Sequence, residues 1–399
     1  MDDGSILKRK SPKSHFFLSV CLLLSACNGL GQQIERTKDS SPATSFAAKQ
    51  LSAQPRINVR KDKRSMSVFN FRFAAQRATL STVGVKTSYL KETPKAVPDF
   101  YYDFFDKDVV GPYSRSSDHF KNRNGTASGV LISADGFIVT NYHVIQAADQ
   151  IEVTLSDKRS YSARIIGSDK ATDLALLKIG EKNLPFLPFG NSDSLMVGDI
   201  ALIVGNPLNF TSTVTQGIIS FKGRNIAESN QRWALQSYIQ TDGVVNIGNS
   251  GGALVDLEGR LTGIITAIAS PNGVYAGYSF AIPVEVVKKT ADDLLHYGRA
   301  KRGGFGMSTC EMDAKKAAEL NTPIVAGLLI ENVEPAGAAQ TGGLAAGDII
   351  ILLNNLPLES TAQLSELIAR SHPGQKMTIT FVRSGRRRHT EILLGNQAD

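Results

Sequence analysis

The residue best suited to covalent chemistry in this chain of 399 residues is a serine set among glycines. It is Ser250, in the run Asn246-Ile-Gly-Asn-Ser250-Gly-Gly. A nucleophilic serine needs an accessible hydroxyl and neighbouring backbone N–H groups that stabilise a developing oxyanion. Glycines allow the tight turn and place no Cβ in the path of a substrate. We therefore predict Ser250 as a nucleophile, with the N–H groups of Gly248 and Ser250 as the oxyanion hole. Taken alone, the same run also occurs in ordinary turns.

A histidine and an aspartate earlier in the chain complete a set that could activate this serine. A serine hydroxyl is a weak nucleophile until an adjacent base takes its proton. His143 lies just after an apolar run, and Asp173 opens the apolar run Leu174-Ala-Leu-Leu. A carboxylate there is costly to bury unless it is paired, and a catalytic histidine needs a carboxylate that holds its tautomer. Because the order histidine, aspartate, serine is that of the chymotrypsin arrangement, we predict His143, Asp173 and Ser250 as a catalytic triad.

Short apolar runs separated by turns carry all three residues. Between about residues 73 and 287 the runs are rich in Val, Ile and Thr, and Asp-Gly or Glu-Gly pairs separate several of them. Many short strands with such turns are typical of a β-barrel or a β-sandwich. Val284 to Leu295 has the apolar spacing of a short amphipathic helix, and we expect this helix to end the region before a polar linker.

The residues after this linker have a different pattern. Thr361 to Arg370 has leucine and isoleucine at helical spacing behind a cap at Ser360 or Thr361. The last two predicted strands flank a Ser384-Gly385 turn and are expected to form a hairpin. The sequence thus predicts a small α/β module behind the β domain. Its predicted strands are residues 327–333, 348–353, 377–382 and 390–394.

The first residues have the features of an export signal. Several basic residues precede the apolar run Phe16 to Leu24, which is shorter than the ~20 residues that span a bilayer. The run ends in Leu24-Ser-Ala-Cys27, which is similar to the lipobox of bacterial lipoproteins. We therefore predict a signal peptide over residues 1–26 and a lipid on Cys27; an ordinary cleaved signal with a coincidental cysteine is the alternative. Residues 27–74, rich in Gln, Ser, Lys, Arg and Ala, are predicted to be a flexible tether.

The composition bears on which partners to expect. The formal net charge is +7, but much of the excess lies near the N-terminus and in Arg386-Arg387-Arg388 at a predicted hairpin tip. No basic motif interleaved with aromatic residues indicates nucleic-acid binding. The three cysteines are Cys21, Cys27 and Cys310. If the first leaves with the signal and the second is acylated, Cys310 has no partner for a disulfide. We expect it to be a buried small hydrophobe.

The motifs around the predicted triad, taken in this order, resemble the HtrA (Do-like) family of proteases with a C-terminal PDZ domain. The resemblance runs from about residue 75 to the end of the chain. Carried over by motif, the family's triad falls on His143, Asp173 and Ser250, as the residues themselves predict. The matching runs are Ser128-Gly-Val-Leu-Ile-Ser-Ala-Asp-Gly-Phe-Ile-Val-Thr-Asn-Tyr-His-Val-Ile, Asp173-Leu-Ala-Leu-Leu-Lys, Gly205-Asn-Pro, Val214-Thr-Gln-Gly-Ile-Ile-Ser, Gln240-Thr-Asp, Gly248-Asn-Ser-Gly-Gly and Phe280-Ala-Ile-Pro.

This resemblance implies a mainly β fold. A chymotrypsin-like protease domain of two six-stranded barrels would cover residues 75–297, with the triad in the cleft between them, and one α/β PDZ domain would cover residues 301–395. The family's carboxylate-binding loop would fall on Gly304, Phe305, Gly306 and Met307. There a peptide C-terminus would add as a strand to the sheet edge, and the helix over Thr361 to Arg370 would wall the groove.

The resemblance and the export signal together imply a function. Family members cleave unfolded or misfolded proteins without ATP, metal or another cofactor, and they commonly assemble as trimers. We expect an exported serine endopeptidase in the periplasm, lipid-anchored to the cell envelope. The outer membrane is slightly favoured, because Asn28 is not the aspartate that often retains lipoproteins at the inner membrane. The expected partners are unfolded proteins, peptide C-termini at the PDZ domain and further copies of the chain. Two alternatives stay open: a non-catalytic chaperone or scaffold that binds exposed C-termini, and a regulatory protease that cuts one specific partner.

Overall fold

A computed structural model describes residues 45–52, 71–88, 124–206, 212–226, 235–246, 248–268 and 277–397. The predicted signal peptide, the predicted lipid site Cys27 and most of the predicted tether lie outside these ranges. None of the described helices is long and apolar enough to cross a membrane. The helices are α1 (Phe46–Ser52), α2 (Phe71–Ser81), α3 (Tyr142–Ile145), α4 (Val284–Tyr297), α5 (Ala314–Glu319), α6 (Ala338–Thr341) and α7 (Thr361–Arg370).

The strands form three larger sheets and one short pair, and every pairing within them is antiparallel. They are β1 (Thr82–Ser88), β2 (Asn124–Leu131), β3 (Phe137–Thr140), β4 (Gln150–Thr154), β5 (Ser160–Ser162), β6 (Arg164–Asp169), β7 (Leu174–Lys178), β8 (Ile200–Gly205), β9 (Thr213–Arg224), β10 (Tyr238–Thr241), β11 (Ala253–Val255), β12 (Leu261–Ile268), β13 (Ser279–Pro283), β14 (Arg302–Gly304), β15 (Met307–Glu311), β16 (Leu328–Val333), β17 (Ile349–Leu353), β18 (Leu356–Pro357), β19 (Lys376–Arg383), β20 (Arg386–Leu393) and β21 (Gly395–Gln397).

Two of the sheets build the region that carries the predicted triad. The first has seven strands in the order β5-β4-β1-β2-β3-β7-β6, and the second is a closed barrel in the order β10-β13-β12-β11-β8-β9. The mainly β, two-sheet expectation is confirmed, and the second sheet is the six-stranded barrel that the resemblance implies. The first sheet has one strand more than expected, because the short strand β5 folds back on β4 and adds an edge strand.

Alternate side chains of the central strands enter different apolar clusters. Ile138 of β3 and Leu177 of β7 face the interior of the first sheet. Val139 and Leu176, their neighbours along the chain, enter a larger cluster that also holds side chains of the barrel and of α4. Because successive residues of a strand point to opposite faces, both faces of β3 and β7 are covered. This explains why both strands appear in the sequence as uninterrupted apolar runs rather than as alternating ones.

The C-terminal module is the small α/β unit that the sequence predicts. Its main sheet follows the order β15-β16-β17-β19-β20, with β18 paired to β17, and β14 pairs with β21. The hairpin over β19 and β20 turns at Ser384 and Gly385, both at positive φ. Helix α7 begins with a capping box in which Ser360 accepts from the backbone of Gln363 and the Gln363 side chain accepts from the backbone of Ser360. Arg386 to Arg388 are exposed at this hairpin.

Helix α4 joins the two units. The predicted helix over Val284 to Leu295 is confirmed and continues to Tyr297. It ends at Gly298, which lies in the left-handed region at φ 70° and donates its N–H to the carbonyl of Leu294. A glycine at this position ends a helix without the Cβ clash that other residues meet. Cys310, expected to be buried, is half-buried on β15, and burial is the main cause that raises the pKa of its thiol.

Part of the predicted tether is helical and packed in the structure. Helix α1 places Phe46 fully inside the large apolar cluster, edge-on to Phe137 at a ring-centroid distance of 5.2 Å. The Gln50 side chain donates to the carbonyls of Ile132 and Leu187, at 2.8 and 3.1 Å. The polar composition of residues 27–74 conceals this segment, because Phe46 is the one aromatic residue of the helix and its other docking contacts come from polar groups, among them Gln50 and Lys49. Nothing in the local pattern distinguishes Phe46 from an exposed residue.

Candidate active site

Antiparallel pairing brings the predicted base and the predicted acid together. Strand β3 pairs with β7 so that Thr140, its last residue, lies opposite Ala175, near the start of β7. His143 follows β3 on the single turn α3, and Asp173 immediately precedes β7. Residues 30 positions apart in the chain therefore meet at one end of the sheet. Ser250 comes from the other sheet, on the loop between β10 and β11.

The carboxylate of Asp173 holds the histidine in one orientation. Nδ1 of His143 lies 2.8 Å from Oδ2 and 3.0 Å from Oδ1 of Asp173. The backbone N–H of His143 also donates to Oδ1, at 3.0 Å. The two side chains are only 8% and 12% exposed. With Nδ1 facing a carboxylate, the neutral ring carries its proton on Nδ1 and leaves Nε2 as the acceptor that a general base needs.

Asp173 adopts a backbone conformation that few residues other than glycine adopt. Its φ is 55°, in the left-handed region, which aspartate tolerates better than bulkier residues do. Its carbonyl accepts hydrogen bonds from the N–H of Tyr142 and from Nδ2 of Asn141, both at 3.1 Å. The preceding residue, Thr172, donates its backbone N–H and its hydroxyl to the carboxylate of Asp169. Strained residues of this kind persist where the surroundings over-determine them, as at functional sites.

Thr266 links the aspartate to the serine, and the sequence analysis did not identify it. Its hydroxyl donates to Oδ2 of Asp173 at 2.6 Å, and its carbonyl accepts from Oγ of Ser250 at 3.4 Å. One residue of the barrel therefore contacts both the aspartate, through its hydroxyl, and the serine, through its carbonyl. The only signal in the sequence is a polar residue directly after Ile264-Ile265 in a buried strand. A threonine is common in such strands, so this signal is weak.

A buried tyrosine also lies near the aspartate. Tyr238, at the start of β10, is 5% exposed. Burial, and to a lesser degree the negative charge of Asp173, raises the pKa of the Tyr238 phenol. The phenol therefore stays neutral and adds no second negative charge beside the carboxylate.

The backbone conformation and the close packing of the loop require the glycines around Ser250. Gly248 lies at φ 98° and Gly251 at φ 81°, so both need the conformational freedom of glycine. A Cβ on Gly251 would come within 2.1 Å of the carbonyl oxygen of Ser128 and 2.4 Å of the hydroxyl oxygen of Thr140. The loop that carries Ser250 thus packs directly on the first sheet. The serine itself is 3% exposed.

A cavity of about 220 Å³ lies between β15 and α7 of the C-terminal module. Of the predicted loop Gly304, Phe305, Gly306 and Met307, only Met307 lines this cavity. Phe305 is 3% exposed and packs in the core of the module, and Gly304 pairs with Gly395 of β21. Phe305 lies between β14 and β15, and Gly306, at φ 67°, turns the chain there, so Phe305 and Met307 do not belong to one regular strand. The cavity is lined by Thr172, Leu235, Gln236, Arg302, Met307, Ser308, Thr309, Thr361, Leu364, Ser365, Ile368, Ala369 and Gln397.

The wall of this cavity touches the region that carries the predicted triad. Ser365 of α7 accepts from the N–H of Gln236 at 3.0 Å, and Glu366 accepts from the hydroxyl of Ser237 at 2.6 Å. Arg370 donates to both carboxylate oxygens of Asp193, at 2.8 and 2.7 Å. Helix α7 therefore forms one wall of the cavity and also connects the C-terminal module to the β domain. Over the described ranges, no group of His, Cys, Asp or Glu side chains is placed to hold a metal ion.

We expect Thr266→Val to slow the reaction of Ser250 with a fluorophosphonate by about 10- to 100-fold, the equivalent of a hydrogen bond to a charged group. The variant keeps the shape of the side chain but removes the hydroxyl that donates to Oδ2 of Asp173, so that Nδ1 of His143 is the donor that remains there. The matched control is Thr262→Val on the same strand, where the lost hydroxyl bonds the carbonyl of Leu254 instead. The labelling rate, followed by intact mass, measures the effect. Equal rates in both variants would contradict a role for Thr266 at the site.

Comparison with known proteins agrees with this geometry. Residues 127–264 match the trypsin-like peptidase domain and residues 329–383 match the PDZ domain. A probable periplasmic DegP-like serine endoprotease of Chlamydia muridarum is 36% identical over 383 residues, which are 96% of this chain and 73% of that protein. A probable periplasmic serine protease, do/HhoA-like, of Haemophilus influenzae is 37% identical and covers 79% of this chain and 67% of its own length.

Solved structures show the same relationship. The HtrA-type protease AlgW, solved with a tripeptide, is 33% identical with a TM-score of 0.63, and the match covers 83% of this chain and 98% of AlgW. The serine endoprotease from Yersinia pestis is 31% identical with a TM-score of 0.52, over 82% of this chain and 98% of that one. The chain therefore belongs to the HtrA (DegP-like) family of trypsin-like serine endoproteases with a PDZ domain.

Proposed function

We propose that this chain is an exported, ATP-independent serine endopeptidase that degrades unfolded or misfolded proteins of the cell envelope, with His143, Asp173 and Ser250 as its triad. The observation that carries the proposal is the set of hydrogen bonds that holds Nδ1 of His143 on Asp173 and joins both Asp173 and Ser250 to Thr266. Relatives named as periplasmic serine proteases support the compartment.

The first half of the reaction uses the orientation of the histidine. Oγ of Ser250 attacks the carbonyl carbon of the scissile peptide bond while Nε2 of His143 takes its proton. The carboxylate of Asp173 stabilises the imidazolium that forms, and the hydroxyl of Thr266 satisfies one of its oxygens. The N–H groups of Gly248 and Ser250 stabilise the negative charge that develops on the carbonyl oxygen.

The second half reuses the same groups. The imidazolium of His143 donates its proton to the leaving amine, the C–N bond breaks, and an acyl-enzyme ester on Ser250 remains. A water molecule then attacks the ester carbonyl as His143 takes the proton of the water. Collapse of the second tetrahedral intermediate releases the acid and returns the proton to Oγ of Ser250. Every proton in this scheme moves through Nε2 of His143.

We expect Ser250→Ala to lower the rate of cleavage of reduced, unfolded casein by ~10⁶-fold, as for removal of the nucleophile in other serine proteases. The matched control is Ser162→Ala on the edge strand β5, which should cleave like the wild type. Degradation followed by electrophoresis measures the effect. Cleavage by the Ser250→Ala variant would exclude Ser250 as the nucleophile. If the wild type also leaves casein intact, with and without hydrophobic C-terminal peptides, the chaperone or scaffold alternative is favoured.

We also propose that the cavity between β15 and α7 binds the C-terminus of a peptide. Met307, Leu364 and Ile368 contribute apolar side chains to it, while Ser308 and Thr309 lie on the strand to which a peptide would add. The similar protein AlgW was solved with a tripeptide and with a decapeptide. The groove would thus select an apolar last residue and bring substrate or activating peptides to the protease.

Met307→Glu should weaken the binding of a peptide with a hydrophobic C-terminal residue by at least about 10-fold, because it places a charge where an apolar side chain would be buried. Fluorescence anisotropy of a labelled peptide measures the dissociation constant. Val325→Glu is the matched control, since Val325 lies on the same module and is 57% exposed. The same peptide with an amidated C-terminus should bind weakly to every variant. Unchanged affinity in Met307→Glu would place the peptide site elsewhere.

We propose, finally, that a lipid on Cys27 anchors the protein to the outer membrane and that the protein assembles as a trimer. The lipobox-like run Leu24-Ser-Ala-Cys27 supports the anchor, and the family resemblance supports the trimer. In a cell fractionation, Cys27→Ser should move the protein from the membrane to the soluble periplasmic fraction. Light scattering of the soluble protein should then give the mass of three mature chains. A variant that stays on the membrane, or a monomer mass, would contradict the respective proposal.

A further inference from the structure

One buried serine of the first sheet binds the loop that carries the nucleophile. Ser128, in the middle of β2, is 0% exposed. Its backbone N–H donates to the carbonyl of Ser250 at 2.8 Å. Its hydroxyl donates to the carbonyl of Gly248 at 2.6 Å. Both residues whose N–H groups form the proposed oxyanion hole are therefore bound, through their carbonyls, to this single residue.

The hydroxyl of Ser128 is itself held in place. It accepts a hydrogen bond from the N–H of Asn206, at the end of β8, at 2.7 Å. The carbonyl of Ser128 accepts from the hydroxyl of Thr140 at 2.7 Å. With Asn206 donating to Oγ, the hydroxyl proton of Ser128 is directed at Gly248. A buried serine with every polar group engaged has one defined orientation.

The loop needs such a restraint because of its glycines. Gly248 lies at φ 98°, and a glycine there has several other conformations within easy reach. Rotation of the peptide unit between Gly248 and Asn249 would move the carbonyl of Gly248 away from Ser128 and change the geometry around the oxyanion hole. An oxyanion hole stabilises a transition state only when its donors are already aimed at the developing charge. The restraint on Gly248 comes from outside its own loop.

We propose that Ser128 is a positioning residue for the oxyanion hole: its hydroxyl holds the carbonyl of Gly248 and thereby aligns the loop for catalysis. The proposal rests on the proposed function, since it takes Ser250 as the nucleophile. Ser128 touches no reacting atom and acts through Gly248. A serine that contributed to stability alone would alter the folded fraction but leave the turnover of each folded site unchanged.

The test compares Ser128→Ala with the wild-type full chain on a fluorogenic peptide that the wild type cleaves. Removing the hydroxyl leaves the backbone bond to Ser250 intact. We expect kcat to fall by about 10- to 100-fold, less than or equal to the effect of losing an oxyanion donor, while KM changes by less than about twofold. Rates are referred to the concentration of sites titrated by a fluorophosphonate, so that unfolded molecules do not contribute.

A transition-state analogue gives a second measure of the same effect. A peptide boronate that forms a tetrahedral adduct with Ser250 should lose affinity by the same factor as kcat. The matched control is Ser133→Ala, where a buried serine in the turn after β2 loses a bond to the N–H of Phe137. We expect Ser133→Ala to change thermal stability but neither kcat nor boronate affinity. Ser128→Cys, which keeps an unbranched side chain but has a larger atom and a weaker donor at its end, should also lower kcat and covers the case in which Ser128→Ala does not fold.

The outcomes separate the two proposals. The positioning role is overturned if Ser128→Ala has the wild-type kcat per titrated site. Where Ser128→Ala does not fold, the same result in Ser128→Cys overturns it. An equal loss of kcat in Ser133→Ala would also overturn it. Cleavage by Ser250→Ala would instead overturn the proposed nucleophile, whatever the Ser128 variants do. A fall in kcat with an equal fall in boronate affinity, confined to the Ser128 variants, supports the role.

Discussion

The proposed active site depends on one buried carboxylate that must be hydrogen-bonded on both oxygens. A charge taken out of water without partners costs several kcal/mol, and Asp173 finds its partners on two different sheets. His143 belongs to the first sheet and Thr266 to the closed barrel. The need to satisfy this carboxylate therefore fixes the relation between the two sheets beside the proposed nucleophile. The positive φ of Asp173 is a local strain that these contacts hold in place.

The contact between the two sheets is apolar in its bulk and polar only at the site. A single large cluster joins side chains of β3, β7, the barrel and α4. Such a cluster stabilises without strong directional preference. The relative orientation of the two sheets is set by a few hydrogen bonds at the edge of this apolar contact. Among them are those of Ser128 and Thr266 to the loop of Ser250. Apolar burial holds the sheets together, and the hydroxyl of Ser128 and the carbonyl of Thr266 set the position of the loop within that contact.

Buried charges hold the PDZ module against the protease. Arg302 of β14 donates to Asp169, the residue that also binds Thr172 beside the triad. Lys289 pairs with Asp293 at 2.8 Å within α4, and Asp293 also accepts from the N–H of Lys301 in the linker. Burial is the largest influence on Lys289 and lowers its pKa. Removing one partner of the Arg302–Asp169 pair, which joins the two units, would leave an uncompensated buried charge at a cost of about 3–5 kcal/mol.

The sequence by itself determined the candidate nucleophile, base and acid, the mainly β fold and the α/β module, because a glycine-flanked serine, short apolar runs rich in Val, Ile and Thr, and helix caps are local signals. Only the tertiary structure identified Thr266 and Ser128, whose partners lie 93 and 120 positions away in the chain, and whose residue types are common in any strand. It also decided that Phe305 enters the core while Met307 lines the cavity, and that Phe46 docks within a polar segment. Hydrogen bonds and burial between distant segments depend on how the sheets pack, and no pattern along the chain encodes that packing.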